Sequence, residues 1–204
     1  MAAAAVLLAA TCALAAKEFA MPKVEAAANY PAHDSHPSEM VTVGADLYTG
    51  AKASIFKENY ADRDMVPILV VITNNGTAPV ELANMKVQLV TTDRRAKIEP
   101  ATEDDIFRRF SRADRRGDEP SKLPIPLPGR GPKVGVKKDV QQEVTAALFQ
   151  ARAVEPKSTQ AGFMFFDVSG VRDPLSGAHL YVTGLRDGHG QELMYFELAL
   201  DKAR

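Results

Sequence analysis

Two histidines three residues apart flank an aspartate in the segment His33-Asp34-Ser35-His36. Imidazole and carboxylate groups bind zinc, but a zinc site needs three or four such ligands held rigidly. The other histidines of the chain, His179 and His189, lie far along the sequence. His33 and His36 are therefore the candidates for a metal site, and the alternative is that both are solvated side chains in a loop.

A mixed set of histidine and methionine ligands would suit copper, because thioether sulfur is a soft ligand. The methionines considered for such a set are Met40, Met65 and Met194. The sequence does not group them with the histidines, and core methionines with histidines in turns are the alternative. We therefore predict no bound metal or other cofactor.

An enzyme, in particular a hydrolase, is a further hypothesis. Asp167, Asp173 and His179 lie near predicted turns and could converge in the fold. The sequence contains no nucleophile elbow, HExxH motif, P-loop or dinucleotide-binding glycine pattern. The sequence therefore predicts a protein that is not an enzyme, and it assigns no catalytic residue.

Charged residues are segregated along a predicted helix that begins at Thr102. Thr102 fits an N-cap, and residues 103–105 are acidic, which the helix dipole favours in a first turn. Arginines follow toward the other end, at positions 108, 109, 112, 115 and 116. These charges could form an acid–base group or a phosphate-binding patch, but the dipole explains both ends without a ligand.

A proline-rich segment at residues 117–138 supplies most of the candidates for partner binding. Its alternating prolines favour polyproline II, because each residue before proline is pushed out of the α region. The segment could enter a proline-reading groove, pack over the domain or dock on a partner. The residues expected to contact a protein partner are Leu123, Ile125, Leu127 and Arg130, together with Tyr30 of an N-terminal arm.

Residues 1–16 are rich in alanine, leucine and valine and resemble a secretory signal peptide. Ala13-Leu14-Ala15 supplies the small-x-small cleavage pattern, although no Lys or Arg follows Met1. An N-terminal anchor or an alanine-rich helix of a cytosolic protein are the alternatives, and Ala9 and Thr11 match a lipobox around Cys12 poorly. We expect an exported protein, periplasmic or associated with the cell envelope, that meets a membrane only through its N-terminus or a partner.

Overall composition excludes some classes of site and partner. The formal net charge is −1, which gives no general attraction to nucleic acid. The single cysteine, Cys12, excludes an intramolecular disulfide and a CxxC site. A protein partner is therefore expected, and a nucleic acid is not.

The central elements are two strands within residues 66–91. Residues 68–72 form an unbroken aliphatic run, which predicts a strand buried on both faces. Residues 74–77 have turn chemistry. The returning strand runs from Val80 to Thr91. Its apolar residues stand at even positions before residue 83 and at odd positions after residue 84, which predicts a bulge or break at Ala83-Asn84.

Further elements follow on both sides of this pair. A second helix is expected to begin at an Asp139 cap, with Glu143 on its polar face. Strands are predicted at residues 41–47, 162–168, 179–184 and 192–200, with Met194 on the same side as Phe196. Turns are predicted at residues 173–177 and 187–190.

About seven strands without βαβ alternation predict an all-β fold with small helical insertions, an antiparallel immunoglobulin-like β-sandwich. Residues 1–16 are a signal peptide or anchor, residues 17–40 an extended arm, and residues 41–204 the sandwich, with a helical and proline-rich insertion at about residues 101–152.

Two segments carry a resemblance to a group of proteins. Val-Ile-Thr-Asn-Asn-Gly-Thr-Ala-Pro-Val-Glu-Leu at residues 71–82 resembles a strand–turn–strand signature, and residues 155–166 resemble a later Gly-Phe-x-Phe strand. Both are similar to uncharacterised secreted bacterial proteins with an immunoglobulin-like β-sandwich domain. The resemblance implies packing and brings no active-site residue.

These observations lead to three functional hypotheses. The first is a non-enzymatic exported binding or scaffold protein, such as an accessory subunit of an envelope or membrane-associated complex. The alternatives are a periplasmic metal- or small-ligand-binding protein and a hydrolase with no linear motif.

Overall fold

The computed structural model describes residues 19–117 and 136–203, without the side chains of Arg94 and residues 112–117. Within this part of the chain, strands outnumber α-helices. The strands are β1 (Ala32–His36), β2 (Val41–Leu47), β3 (Met65–Asn74), β4 (Val80–Glu81), β5 (Lys86–Val90), β6 (Lys97–Ile98), β7 (Ala153–Val154), β8 (Ser158–Asp167), β9 (His179–Thr183) and β10 (Phe196–Ala199); the α-helices are α1 (Glu103–Gly117) and α2 (Lys138–Ala147).

The long strands form two antiparallel sheets of four strands each. Sheet 1 has the order β1-β2-β3-β8, and sheet 2 has the order β10-β9-β5-β6. A separate two-stranded ladder joins β4 to β7. This confirms the prediction of an all-β protein with a few helices inserted in the middle. Among the residues described, no helix combines the length and apolar character needed to cross a bilayer.

One hydrophobic core lies between the two sheets. Sheet 1 contributes alternate residues of β2, β3 and β8, including Val43, Ile68 and Phe166, and all three are buried. Sheet 2 contributes Leu180 and Phe196, among others, from its inner face. Because strand side chains alternate between faces, β2 and β3 of sheet 1 and β5, β9 and β10 of sheet 2 supply this core with every second residue.

A second core covers the opposite face of sheet 1. Leu69 of β3 and Phe163 of β8 point away from sheet 2 and pack against the helices and the segment around Phe56. Helices α1 and α2 contribute Ile106 and Val144. Strand β3 is buried along its whole length because it has a core on each side. This confirms the prediction made from its unbroken aliphatic run.

The predicted break in the returning strand is confirmed, and it separates two sheets. Strand β4 pairs with β7, whereas β5 pairs with β9 and β6. Between β4 and β5 the chain turns, with Met85 N donating to Leu82 O at 2.9 Å. The change of parity at Ala83-Asn84 therefore marks the point where the chain passes from one ladder to another.

The N-terminal arm differs from its prediction, because part of it belongs to the folded domain. Strand β1 pairs with β2 along its whole length. Ala27 is fully buried, and its N–H donates to Thr73 Oγ1 of β3 at 2.8 Å. The boundary that was placed at residue 41 therefore falls inside sheet 1.

Two predicted element boundaries are wrong. Helix α2 begins at Lys138, so Asp139 lies in the first turn, where its carboxylate accepts the N–H of Val140 at 3.1 Å. Strand β10 starts at Phe196, four residues later than predicted. Met194 therefore lies outside the strand and is 64% exposed instead of sharing the inner face with Phe196.

Candidate interaction surface

The outer face of sheet 2 is partly open in the described residues. Its side chains alternate with buried ones along β5, β9 and β10. We call this surface the tyrosine face. Its residues are Lys86, Gln88, Val90, Lys97, His179, Tyr181, Thr183, Tyr195, Glu197 and Ala199. The outer face of sheet 1, in contrast, is covered by the helices.

Glu197, on the edge strand β10, joins two strands across the tyrosine face. The hydroxyl of Tyr181 donates to Glu197 Oε1 at 2.6 Å, since the two residues lie opposite each other on β9 and β10. This hydrogen bond, together with burial and the carboxylate charge, raises the pKa of Tyr181 above its usual range. His179 Nδ1 lies 2.9 Å from the same oxygen but is not aligned for a hydrogen bond.

Aromatic and methionine side chains extend this surface toward the start of β10. The rings of Tyr181 and Tyr195 lie 6.2 Å apart. Tyr195 is 52% exposed, and Met194 beside it is the most exposed large apolar side chain of the described residues. Tyrosine and methionine are enriched in protein interfaces, because they offer a large contact area. The exposed residues Met194 and Tyr195 are therefore neighbours just before the start of β10.

The edge of β10 is closed by carboxylates from the N-terminal segment. Asp34 Oδ2 accepts the N–H of Glu197 at 3.0 Å, and Glu39 Oε1 accepts the N–H of Met194 at 2.9 Å. These donors would otherwise be free to pair with another strand. The face of sheet 2, rather than this edge, is therefore available to a partner.

Charges of opposite sign lie on opposite margins of the tyrosine face. Glu197 lies on β10, and Lys86 and Lys97 lie on β5 and β6 at the other side. Lys86 and Lys97 are exposed. In known protein interfaces, charge patterns of this kind favour partners with the complementary arrangement and set their orientation.

The candidate metal ligands His33 and His36 point to opposite faces of β1, because they are three positions apart in a strand, an odd number. His33 Nδ1 donates to the carbonyl oxygen of Tyr30 at 2.6 Å. His36 stacks on Phe196 at 4.1 Å, and its Nδ1 lies 2.9 Å from Glu39. In the described ranges, no three His, Cys, Asp or Glu side chains are grouped so that they could hold a metal.

The partner-binding candidates have two different outcomes. Tyr30 is half-buried against the second core, and its hydroxyl accepts the N–H of Glu25 at 3.2 Å. Its position is that of a packing residue. Leu123, Ile125, Leu127 and Arg130 lie outside the described residues.

A buried carboxylate that sequence reasoning missed ties α2 to the rest of the helical layer. Glu143 is 3% exposed; it accepts the hydroxyl of Tyr60 at 3.0 Å and the N–H of Lys57 at 2.6 Å. Burial, followed by the Glu143 charge, raises the pKa of Tyr60 far above its usual range. The signal was present in the sequence, because Glu143 lies three residues after Val140, on the apolar stripe of α2.

Charged side chains in the described part of α1 have partners, both within the helix and on β8. Thr102 Oγ1 accepts the N–H of Asp105 at 3.2 Å, which confirms the predicted cap. Arg109 pairs with Asp167 and donates to Ser169 at 3.3 Å. Burial acts to raise the pKa of Asp167, but the hydrogen bonds from Ser169 and the Arg109 charge outweigh it and lower that pKa.

A cavity of about 610 Å³ beside α1 is lined by these same charges. Asp167 therefore serves an ion pair at the end of β8, while His179 lies beside Glu197 on sheet 2. The hydrolase hypothesis needed Asp167 and His179 to meet, and their observed neighbours give it no support.

Comparison with known proteins adds no family or relative. No family model matches the chain, and no curated protein matches it significantly.

Proposed function

We propose that this chain is a non-enzymatic binding or scaffold protein, exported to the cell envelope, and that its tyrosine face contacts a protein partner. The observation that carries the proposal is the pairing of Tyr181 and Tyr195 on an open sheet face beside the exposed Met194. Large aromatic side chains at the centre of a contact supply much of its binding energy. The export part of the proposal is supported by the signal-like residues 1–16.

An immunoglobulin-like β-sandwich is part of the same proposal, and the strand order supports it. Immunoglobulin domains have neighbouring strands A-B-E in one sheet and C-F-G in the other. Strands β2-β3-β8 match the first order, and β5-β9-β10 match the second. The segment that contains α1 and α2 enters the chain between β6 and β7, in the region where strand D would connect the sheets.

The charge pattern defines the partner that fits. We expect a folded protein surface with a basic group opposite Glu197, an acidic group opposite Lys86 and Lys97, and apolar atoms between them. An accessory subunit of an envelope complex would bind such a partner in one defined orientation.

Site-specific photo-crosslinking in cells tests this proposal. A photo-reactive residue at Gln88 or Tyr195 should capture the same protein from both positions, while one at the exposed Gln141 of α2 should not capture it. Lys86→Glu should then weaken binding of the purified partner, by about 0.5–1 kcal/mol for an exposed charge pair. Capture from Gln141 alone, or binding that Lys86→Glu leaves unchanged, would count against the tyrosine face.

A further inference from the structure

A second candidate binding site lies on the other side of the molecule, at the start of β3. A cavity of about 480 Å³ opens between the short helix Gly50–Ile55 and the loop that follows β8. This volume falls within the range of small-molecule pockets, about 300–1,000 Å³. Its apolar walls include Tyr48, Ala53, Phe56, Tyr60, Pro67 and Val171.

The aromatic wall of this cavity is rigidly packed. Phe56 contacts Tyr60 edge to face at 5.0 Å, and Tyr48 contacts Phe56 in the same manner at 6.4 Å. All three side chains are largely buried. A ligand would therefore meet a preformed surface, which reduces the entropy lost on binding.

Asp64 is the one charged side chain among the described residues that line the cavity. Within the described chain its carboxylate makes no hydrogen bond or ion pair, in contrast to Asp167, which pairs with Arg109. The Asp64 backbone is fixed in the left-handed region at φ 55°, and its carbonyl accepts the N–H of Val168 at 2.8 Å. An unpaired anion is thus held at the edge of an aromatic, apolar cavity.

We propose that this cavity binds a small organic cation that carries an ammonium group on an apolar body. The carboxylate of Asp64 supplies charge complementarity, and aromatic rings attract cations through their negative faces. The apolar body fills the space beside Ala53 and Val171. This site is separate from the tyrosine face, so the two proposals can fail independently.

The test uses benzyltrimethylammonium as the probe and 3-phenylpropionate as the anion of similar size. Titration of the isotopically labelled protein, followed by NMR, should show saturable shifts at Ala53 and Val171 with the cation and much weaker ones with the anion. Asp64→Asn should weaken cation binding by up to about fivefold, the most that loss of one exposed charge pair produces. Asparagine tolerates the left-handed backbone of this position, so the fold should be retained.

Asp62→Asn is the matched control, because Asp62 is exposed on the neighbouring turn and does not line the cavity. It should leave the affinity unchanged. Ala53→Trp should abolish binding by filling the cavity. The proposal would be overturned if the cation did not bind, or if the cation and the anion bound equally. It would also be overturned if Asp64→Asn left the affinity unaltered, or if the NMR shifts mapped to residues outside the cavity. The crosslinking result at Tyr195 would not be affected by any of these outcomes.

Discussion

Replacement of Glu143 by alanine should destabilise the protein severely. The side chain is 3% exposed and accepts one buried hydrogen bond, from Tyr60, and one partly buried bond, from Lys57 N–H. A hydrogen bond to a charged group contributes about 1.5–3 kcal/mol, and the more exposed bond contributes about 1 kcal/mol. The expected loss of unfolding free energy is therefore about 2.5–4 kcal/mol, a large share of a typical total of about 5–15 kcal/mol.

Urea denaturation followed by circular dichroism measures this loss. Gln141→Ala is the matched control, because Gln141 lies on the exposed side of the same helix, and it should change the stability by less than about 0.5 kcal/mol. Tyr60→Phe combined with Glu143→Ala should show a coupling energy of about 1–2 kcal/mol. A loss below about 1 kcal/mol for Glu143→Ala would refute the view that this carboxylate anchors α2.

Three further predictions concern buried groups. Asn74→Asp should lower the unfolding free energy by about 2–4 kcal/mol, because the buried Asn74 amide donates to two carbonyl oxygens; equal thermal stability would contradict this. Gly162→Ala should cost about 1–3 kcal/mol or more in urea denaturation, since its Cβ would lie 2.3 Å from the Phe149 backbone; a stable variant would show that this packing can relax. Burial, followed by the charge of a neighbouring aspartate, raises the pKa of Tyr48 from 10.0 to about 12, so absorbance titration should show its phenol ionising late. Its contribution to stability should be complete below pH 10 and disappear between about pH 10 and 12, and Tyr48→Phe should reduce that slope, while Tyr60 and Tyr181, whose pKa values are also raised, keep the rest.

Local signals in the sequence were sufficient for many elements of the fold. The aliphatic run in β3 indicated burial on two faces, and the parity change before β5 located the passage between ladders. The Thr102 cap was also readable, because a cap depends on residues three positions apart. Each of these features depends on residues that lie within one short stretch of the chain.

Long-range interactions decided what the sequence did not reveal. Strand β1 has a single buried apolar residue, Ala32, and is held by pairing with β2 rather than by its own hydrophobicity. Met194 continues the apolar alternation of β10 in the sequence, but Glu39 accepts its N–H and the strand begins only at Phe196. The spacing of Glu143 from Val140 indicates the apolar stripe of α2, but its buried partner Tyr60 lies far away in the sequence, and the residue type alone predicts the polar face.

The tyrosine face was only partly visible in the sequence. The strand predicted at residues 179–184 implies that His179 and Tyr181 share one side, since strand side chains alternate, but it does not place them beside Glu197 of another strand. Which sheet would be covered by helices depended on how α1 and α2 dock. The helices dock through the second core, whose residues come from distant parts of the chain.

Oxidative footprinting of Met194 and Tyr195 tests the central claim most directly. Both side chains are more than half exposed in the free protein, at 64% and 52%. In the complex with the crosslinked partner, both should be strongly protected from hydroxyl radicals, while the exposed Met21 keeps its free-state rate. Unchanged oxidation of Met194 and Tyr195 in the complex, with protection at Met21 instead, would contradict the account.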